Sequence, residues 1–193
     1  NSIVIPNGID TNHFKPNLFI KKKMRNKLGI SPNKIVALYA ARLDPMKGHD
    51  QIIKLANKCR DITFIMLGTG TEKLNVPNNI IKLGVINDMN SMYNMADILL
   101  HFSKYGEGFP NVIGEAMACD LPVLANNTGD SKSIIADKGY IIQNEELLEI
   151  ENNIYELVKM KKSFNKNHIR NRIVSKFSVS RMVNSYLKVY NEK

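Results

Sequence analysis

"IVALYAARLDPMKGHDQIIKLANKCRDITFIML", residues 35–67, decides the fold. It opens on six apolar, β-prone residues (Ile35–Ala40) and closes on six more (Ile62–Leu67). Between them Pro45 and Gly48 shape a turn, and a helical segment runs from about His49 to Cys59. Runs this continuously apolar suit strands covered on both faces. A helix joining two such strands implies a right-handed crossover and parallel pairing.

The same alternation continues downstream. "IIKLG" (Ile80–Gly84), "ILLHF" (Ile98–Phe102), "PVLA" (Pro122–Ala125) and "YII" (Tyr140–Ile142) read as further strands. Helical segments fall at about Asp88–Ala96, Pro110–Ala118 and Ser131–Ala136. The expectation for residues 34–144 is therefore α/β: a doubly wound, parallel, Rossmann-like sheet of about six strands. From Glu145 to Lys193 only helical patterns remain, such as "LLEIENNIYELVKM" and "VSRMVNSYLKVY", which read as two or three closing helices. Residues 1–33, opening "NSIVIPNGIDTNHFKP", read as an irregular lead-in with turns at Pro6, Asn7-Gly8 and Pro16.

Length and composition suit one domain with a real core: 193 residues, 44% hydrophobic and 23% charged. No run approaches the roughly 18 apolar residues of a membrane span. Cys59 and Cys119 offer neither a disulfide framework nor metal-ligand spacing, and read as core residues of a protein in a reducing compartment. The net charge of +9 is concentrated in "KKKMRNK" (Lys21–Lys27) and "KMKKSFNKNHIRNR" (Lys159–Arg172). Such stretches fit a solvated face, an anionic lipid surface or nucleic acid. No zinc-finger, RNA-recognition or helix-turn-helix pattern supports the last, and no nucleic-acid partner is expected. Met89, Met92 and Met95 read as packing, and the four histidines (His13, His49, His101, His168) receive no role.

Ligands of doubly wound sheets bind beyond the carboxyl ends of the strands. The loop after the first strand carries neither G-x-G-x-x-G nor a P-loop. Instead it places Arg42 and Lys47 five apart, a pair able to grip phosphate oxygens. "LGTG" (Leu67–Gly70) ends the second strand, where glycine lets backbone approach a ligand. Further on, "EGFPNVIGEAMACDLPVLA" (Glu107–Ala125) sets Pro110 at a helix start, whose N–H groups and dipole favour an anion. Glu107 precedes that helix and Glu115 lies inside it, so an acid stands ready for each of two polyol ends of a sugar nucleotide.

"IPNGID", "RLDPMKG", "MADILLHFSKYGEGFPNVIGEAMA" and "PVLANNTGD" occur in the order and spacing of a known family. Over essentially its whole length the chain resembles the retaining glycosyltransferases of the GT-B fold, specifically glycosyltransferase group 1 (GT4). The resemblance implies a role for each matching position. Arg42 and Lys47 would grip the donor diphosphate, and Glu107 would contact hydroxyls of the transferred sugar. Gly108, Phe109, Pro110, Asn111 and Val112 would bring the helix start to sugar and phosphate. Glu115 would hold the ribose, Gly68 would lie beside the nucleotide, and Ile86 would fall near the base. Two positions depart from the family pattern: Asp120 stands where glycine is usual, and Ser133 where many members carry an acid.

The resemblance further implies that the chain is one half of a GT-B enzyme, the C-terminal donor-binding domain, beginning where the two halves join. An N-terminal acceptor-binding domain would complete the cleft, and the isolated half would catalyse nothing. The donor would be a nucleoside-diphosphate sugar, UDP favoured and GDP the other candidate. No cofactor is expected, and no metal, since no D-x-D occurs. The product would be a cell-surface polysaccharide or glycolipid, made in the cytoplasm with peripheral contact at the inner face of the plasma membrane. A GT-B sugar-nucleotide epimerase and a non-catalytic glycosyltransferase-like subunit are the alternatives.

Overall fold

The computed structural model describes residues 2–143, 146–163, 165 and 167–191. Glu145, the expected start of the closing helices, lies outside these described residues. Six parallel strands form one sheet: β1 (Ile35–Ala40), β2 (Ile62–Leu67), β3 (Ile80–Gly84), β4 (Ile98–His101), β5 (Val123–Ala125) and β6 (Tyr140–Ile141). Their order is β3-β2-β1-β4-β5-β6, with Leu38 of β1 registered against Ile65 of β2 and Leu99 of β4. The crossovers are carried by α2 (His49–Lys58), α3 (Met89–Met95), α4 (Asn111–Ala118) and α5 (Ser131–Ile135). Every expected strand and crossover helix is present, with ends within one residue of the sequence reading.

Alternation along each strand divides the core. Val36 and Leu38 face one side, where Tyr93, Met95, Ile113, Met117, Ile134 and Ile173 cover them. Ala37 and Tyr39 face the other, under Ile52 and Leu55 of α2 and Ile150, Ile154 and Leu157 of the long helix α6 (Leu147–Ser163). All of these are nearly or fully buried, which explains why the strands lack a polar face. Both cysteines are buried and free, and burial pushes each thiol up to about 12. After α6, α7 (Arg170–Lys176) and α8 (Val179–Asn191) close the chain. The lead-in meets them: Ile9 exchanges backbone bonds with Phe177 and Val179 at 2.7 and 3.1 Å. Gly8 is pressed so closely on Val179 that a Cβ there would lie 2.6 Å from its Cα.

The lead-in is not irregular throughout. Leu18–Lys27 forms α1, capped by Asn17, whose side chain accepts from the N–H groups of Phe19 and Ile20. Its one buried residue is a cation, Arg25, which pairs with Asp97 at 2.5 Å and donates to the carbonyls of Met95, Pro32 and Lys34. Much of the second basic stretch is likewise structural. Arg170 donates to the carbonyls of Thr11, Phe14 and Ala118, and Arg172 to those of Ser133 and Ile134. Reading these cations as free surface charge is corrected by their partners.

Candidate active site

The order 3-2-1-4-5-6 reverses between β1 and β4, and the loops leaving those two strands part there and leave a crevice. The loop after β1 is held at four points. Asp44 caps a single 3-10 turn at Pro45–Lys47 by accepting from Met46 N–H. Gly48, at φ 79°, packs where a Cβ would meet the Phe102 carbonyl at 2.4 Å. Tyr39, buried on β1, donates its hydroxyl to the Lys47 carbonyl at 2.6 Å. Lys104 N–H donates to the Met46 carbonyl, tying the two loops together.

A cleft of about 380 Å³ opens at this point. Arg42, Lys47, Glu107, Phe109, Pro110, Asn111 and Val112 all line it, joined by Ala40, Ala41 and His101. Pro110 is the N-cap of α4 and not its first helical residue, one position earlier than the sequence reading. The N–H groups of Asn111 and Val112 then open the helix, with the positive end of its dipole at the cleft. Lys47 Nζ lies 2.5 Å from Glu107 Oε1, both side chains being about 85% buried. Ser103 donates to the same oxygen at 2.6 Å, and His101 Nε2 stands 3.6 Å from it. Burial raises the Glu107 carboxyl, but Lys47, Ser103 and His101 outweigh it and hold the group below its usual range. Burial, reinforced by Lys47, pulls His101 down against the opposing pull of Glu107, so the imidazole is neutral at pH 7. Arg42 is mostly exposed and pairs with Asp44 at 3.2 Å.

Glu115 opens instead on an adjoining pocket of about 410 Å³, lined also by Asn7, Gly8, Ile9, Asp10, Phe14, Val179 and Met182. Asn111 borders both pockets, and Asn7 donates to its side-chain oxygen at 3.3 Å. Tyr93, buried beneath, donates to Glu115 Oε2 at 2.7 Å and fixes that carboxylate.

Three expected residues line neither pocket. Gly68, at φ 129°, has a fold reason for being glycine: a Cβ would sit 2.0 Å from the Ala41 carbonyl. Gly108 has none, since a Cβ there would meet nothing within 4 Å; its carbonyl accepts from Asp130 N–H. Ile86 packs half-buried against the core beyond β3. Conversely, the sequence reading gave His101 and Ser103 no part, although both contact Glu107. The available signal was position: His101 ends β4 at the sheet's carboxyl edge. A larger cavity, about 540 Å³, lies at the opposite edge among α1, α3 and α6. Its charges Lys21, Asp97, Asp120 and Lys161 are committed to one another or to the fold, and Lys162 is the further charge on its lining.

A parallel sheet with a crevice at its switch point, lined by two cations, an acid and a helix start, defines a doubly wound α/β protein. The family described as "Glycosyl transferases group 1" matches residues 20–173, and the chain belongs to that family. It is 31% identical to the alpha-galactosylglucosyldiacylglycerol synthase of Streptococcus pneumoniae over 61% of its own length and 35% of that protein's. It is 27% identical to the UDP-Gal:alpha-D-GlcNAc-diphosphoundecaprenol alpha-1,3-galactosyltransferase of Escherichia coli, covering 97% of this chain and 53% of that one. The crystal structure of Anabaena HepE in complex with UDP-glucose superposes with a TM-score of 0.86 at 25% identity, over 99% of this chain and 57% of HepE. The chain spans between a third and about half the length of the curated relatives it matches.

Proposed function

We propose that this chain is the C-terminal, donor-binding half of a retaining glycosyltransferase of the GT4 type, with its donor in the β1–β4 cleft. The observation that carries the reading is the gathering of Arg42, Lys47, Glu107 and the start of α4 around one cleft, with Glu115 across Asn111 in the next pocket. A nucleoside-diphosphate sugar matches that pattern: an anionic middle for the cations and helix start, and a polyol at each end for a carboxylate.

In the transfer step the bond from the anomeric carbon to the diphosphate breaks and negative charge grows on the departing phosphate. Lys47, Arg42 and the N–H groups of Asn111 and Val112 stabilise that charge from fixed positions. Glu107 orients the sugar through its hydroxyls and Glu115 the ribose. The acceptor hydroxyl, bound by the other half of the enzyme, bonds to the same face of the sugar and passes its proton to the departing diphosphate. On this reading the donor half by itself binds nucleotide and transfers nothing, because the acceptor is held by the other half.

HepE was crystallised with UDP-glucose and the E. coli relative is named for UDP-Gal, which supports a UDP-sugar donor. The S. pneumoniae relative is named for a glycolipid that it makes and the E. coli relative for a diphosphoundecaprenol-linked acceptor, which supports a place in glycolipid or cell-surface polysaccharide synthesis. Calorimetric titration with UDP, GDP and NAD tests the reading. UDP or GDP binding that is lost in Lys47→Ala supports it, and binding of NAD alone, or of none, rejects it. Release of an isomerised sugar without acceptor by the longer enzyme would favour the epimerase instead.

A second proposal concerns location: peripheral contact with an anionic membrane on the cytoplasmic side. No helix among the described residues is long and apolar enough to cross a bilayer. The outer face of α1 supports surface contact. Leu18 and Phe19 are exposed at 79% and 74%, beside exposed Lys22, Lys23 and Lys27, and the helix carries no acid.

A further inference from the structure

Three groups converge on one carboxylate oxygen in the cleft, and only two of them are bonded to it. Lys47 and Ser103 reach Glu107 Oε1 at 2.5 and 2.6 Å, while His101 Nε2 stops at 3.6 Å. His101 is 94% buried, and its Nε2 has no hydrogen-bond partner among the described residues. Its backbone is fixed: the Asn126 N–H donates to the His101 carbonyl at 3.0 Å, and the Asn126 amide donates to the carbonyls of Phe102 and Ser103. A buried polar nitrogen without a partner is costly, and a fixed one aimed at a carboxylate is set up for a bond that another state makes.

We propose that His101 is a positioning residue that takes over Glu107 Oε1 when a diphosphate draws Lys47 away. The inference rests on the cleft being a diphosphate site. A diphosphate competes with Glu107 for the Lys47 ammonium, and release of Lys47 leaves Oε1 with Ser103 alone. The imidazole can then close the remaining gap and donate through Nε2–H. Because the ring is neutral, the exchange adds no second cation beside Lys47, and Glu107 keeps both its charge and its place. Lys47 and Glu107 are the charged groups that act on the ring.

Two measurements decide it. The first is the structure of Lys47→Met, which removes the competitor without any ligand. The His101 Nε2 to Glu107 Oε1 separation is expected to shrink to about 3 Å. A ring left at its present distance, or a Glu107 turned away from it, overturns the proposal. The second uses inorganic pyrophosphate as probe. Saturation should move the His101 ring N–H resonance downfield, and His101→Leu should weaken pyrophosphate binding about tenfold, with His101→Gln restoring it. An unmoved resonance, or equal losses in the Leu and Gln variants, overturns it. If the unsubstituted chain binds no pyrophosphate, the diphosphate reading fails, and the Lys47→Met structure still decides whether His101 closes on Glu107.

Discussion

The hydroxyl of Tyr39 donates to the carbonyl oxygen of Lys47 at 2.6 Å, so a strand residue in the sheet's core sets the position of a cleft cation. The lysine side chain then needs little ordering to face Glu107. Tyr39→Phe keeps the ring's packing and removes only this tether. Stability should fall by about 1 kcal/mol, and nucleotide affinity should fall less than in Lys47→Ala. Thermal unfolding and calorimetry on the same samples check both. Unchanged nucleotide affinity would mean that the loop holds Lys47 without the tyrosine.

Arg42 and Lys47 should separate cleanly by mutation. Arg42 is exposed and, among the described residues, pairs with partly buried Asp44, so Arg42→Ala should leave the melting temperature unchanged while weakening nucleotide binding. Lys47 is buried against Glu107, so Lys47→Ala leaves a carboxylate without its cation and should lower the melting temperature as well. In the longer enzyme Lys47→Ala should cost about a hundredfold or more in turnover, as loss of a preorganised charge-stabilising group does. Wild-type turnover in that variant would remove Lys47 from the chemistry.

The strands were legible because a parallel sheet buried on both faces leaves continuous apolar runs, such as Ile35–Ala40 and Ile62–Leu67. The cleft was legible because its cations and acids are sequence-local to the two loops at the switch point. Helix α1 was not, because the one residue it buries is Arg25, and hydrophobic periodicity cannot register a cation. Only the Asn17 cap announced it. His101 was missed for a similar reason: nothing in "ILLHF" tells a packed histidine from one whose nitrogen faces a carboxylate across the following loop, and only the strand's end gave a hint.

Asp120 combines a left-handed backbone with a full set of partners for its carboxylate. It sits at φ 62°, a conformation that glycine adopts freely. Its carboxylate is bonded by Lys161 and by the N–H groups of Asn167, Ile169 and Arg170, so it caps the approach to α7 from another element. Asp120→Gly relieves the backbone but strips all four bonds. The loss of capping should win, with net destabilisation of about 2 kcal/mol by denaturant titration. Asp120→Asn keeps an acceptor for the N–H groups and should fall between the two. A Gly variant more stable than the parent would show that backbone strain is the larger effect.

The Arg25–Asp97 pair makes a pH prediction of definite sign. Burial raises the Asp97 carboxyl, but Lys21, Arg25 and the Val36 N–H outweigh it and hold the group below its usual value. A depressed folded-state pKa gives stability that is present above the unfolded value of about 3.9 and lost as pH falls through the folded one. Unfolding free energy should therefore drop below about pH 4. Arg25→Met should cost about 3 kcal/mol at pH 7 and flatten that acid limb, because the carboxylate then keeps Lys21 and the Val36 N–H but loses the guanidinium. A limb of unchanged steepness in the variant would assign the acid sensitivity to other carboxylates, Glu107 first among them.

Contact with an anionic membrane through α1 predicts a graded response and not an all-or-none one. Arg25 and Lys21 are held by Asp97, so the attraction must come from Lys22, Lys23 and Lys27, with Leu18 and Phe19 as the apolar contribution. Sedimentation with phosphatidylglycerol vesicles should fall steeply as salt rises from 50 to about 500 mM, since the Debye length shrinks below the reach of exposed lysines. Lys22→Glu with Lys23→Glu should abolish sedimentation at low salt without changing nucleotide binding at the distant cleft. Phe19→Ser should leave the salt dependence intact but lower the plateau, because burial of the ring adds to binding independently of charge. Binding to phosphatidylcholine vesicles as strong as to phosphatidylglycerol, or insensitivity to all three substitutions, would move the membrane contact off this helix.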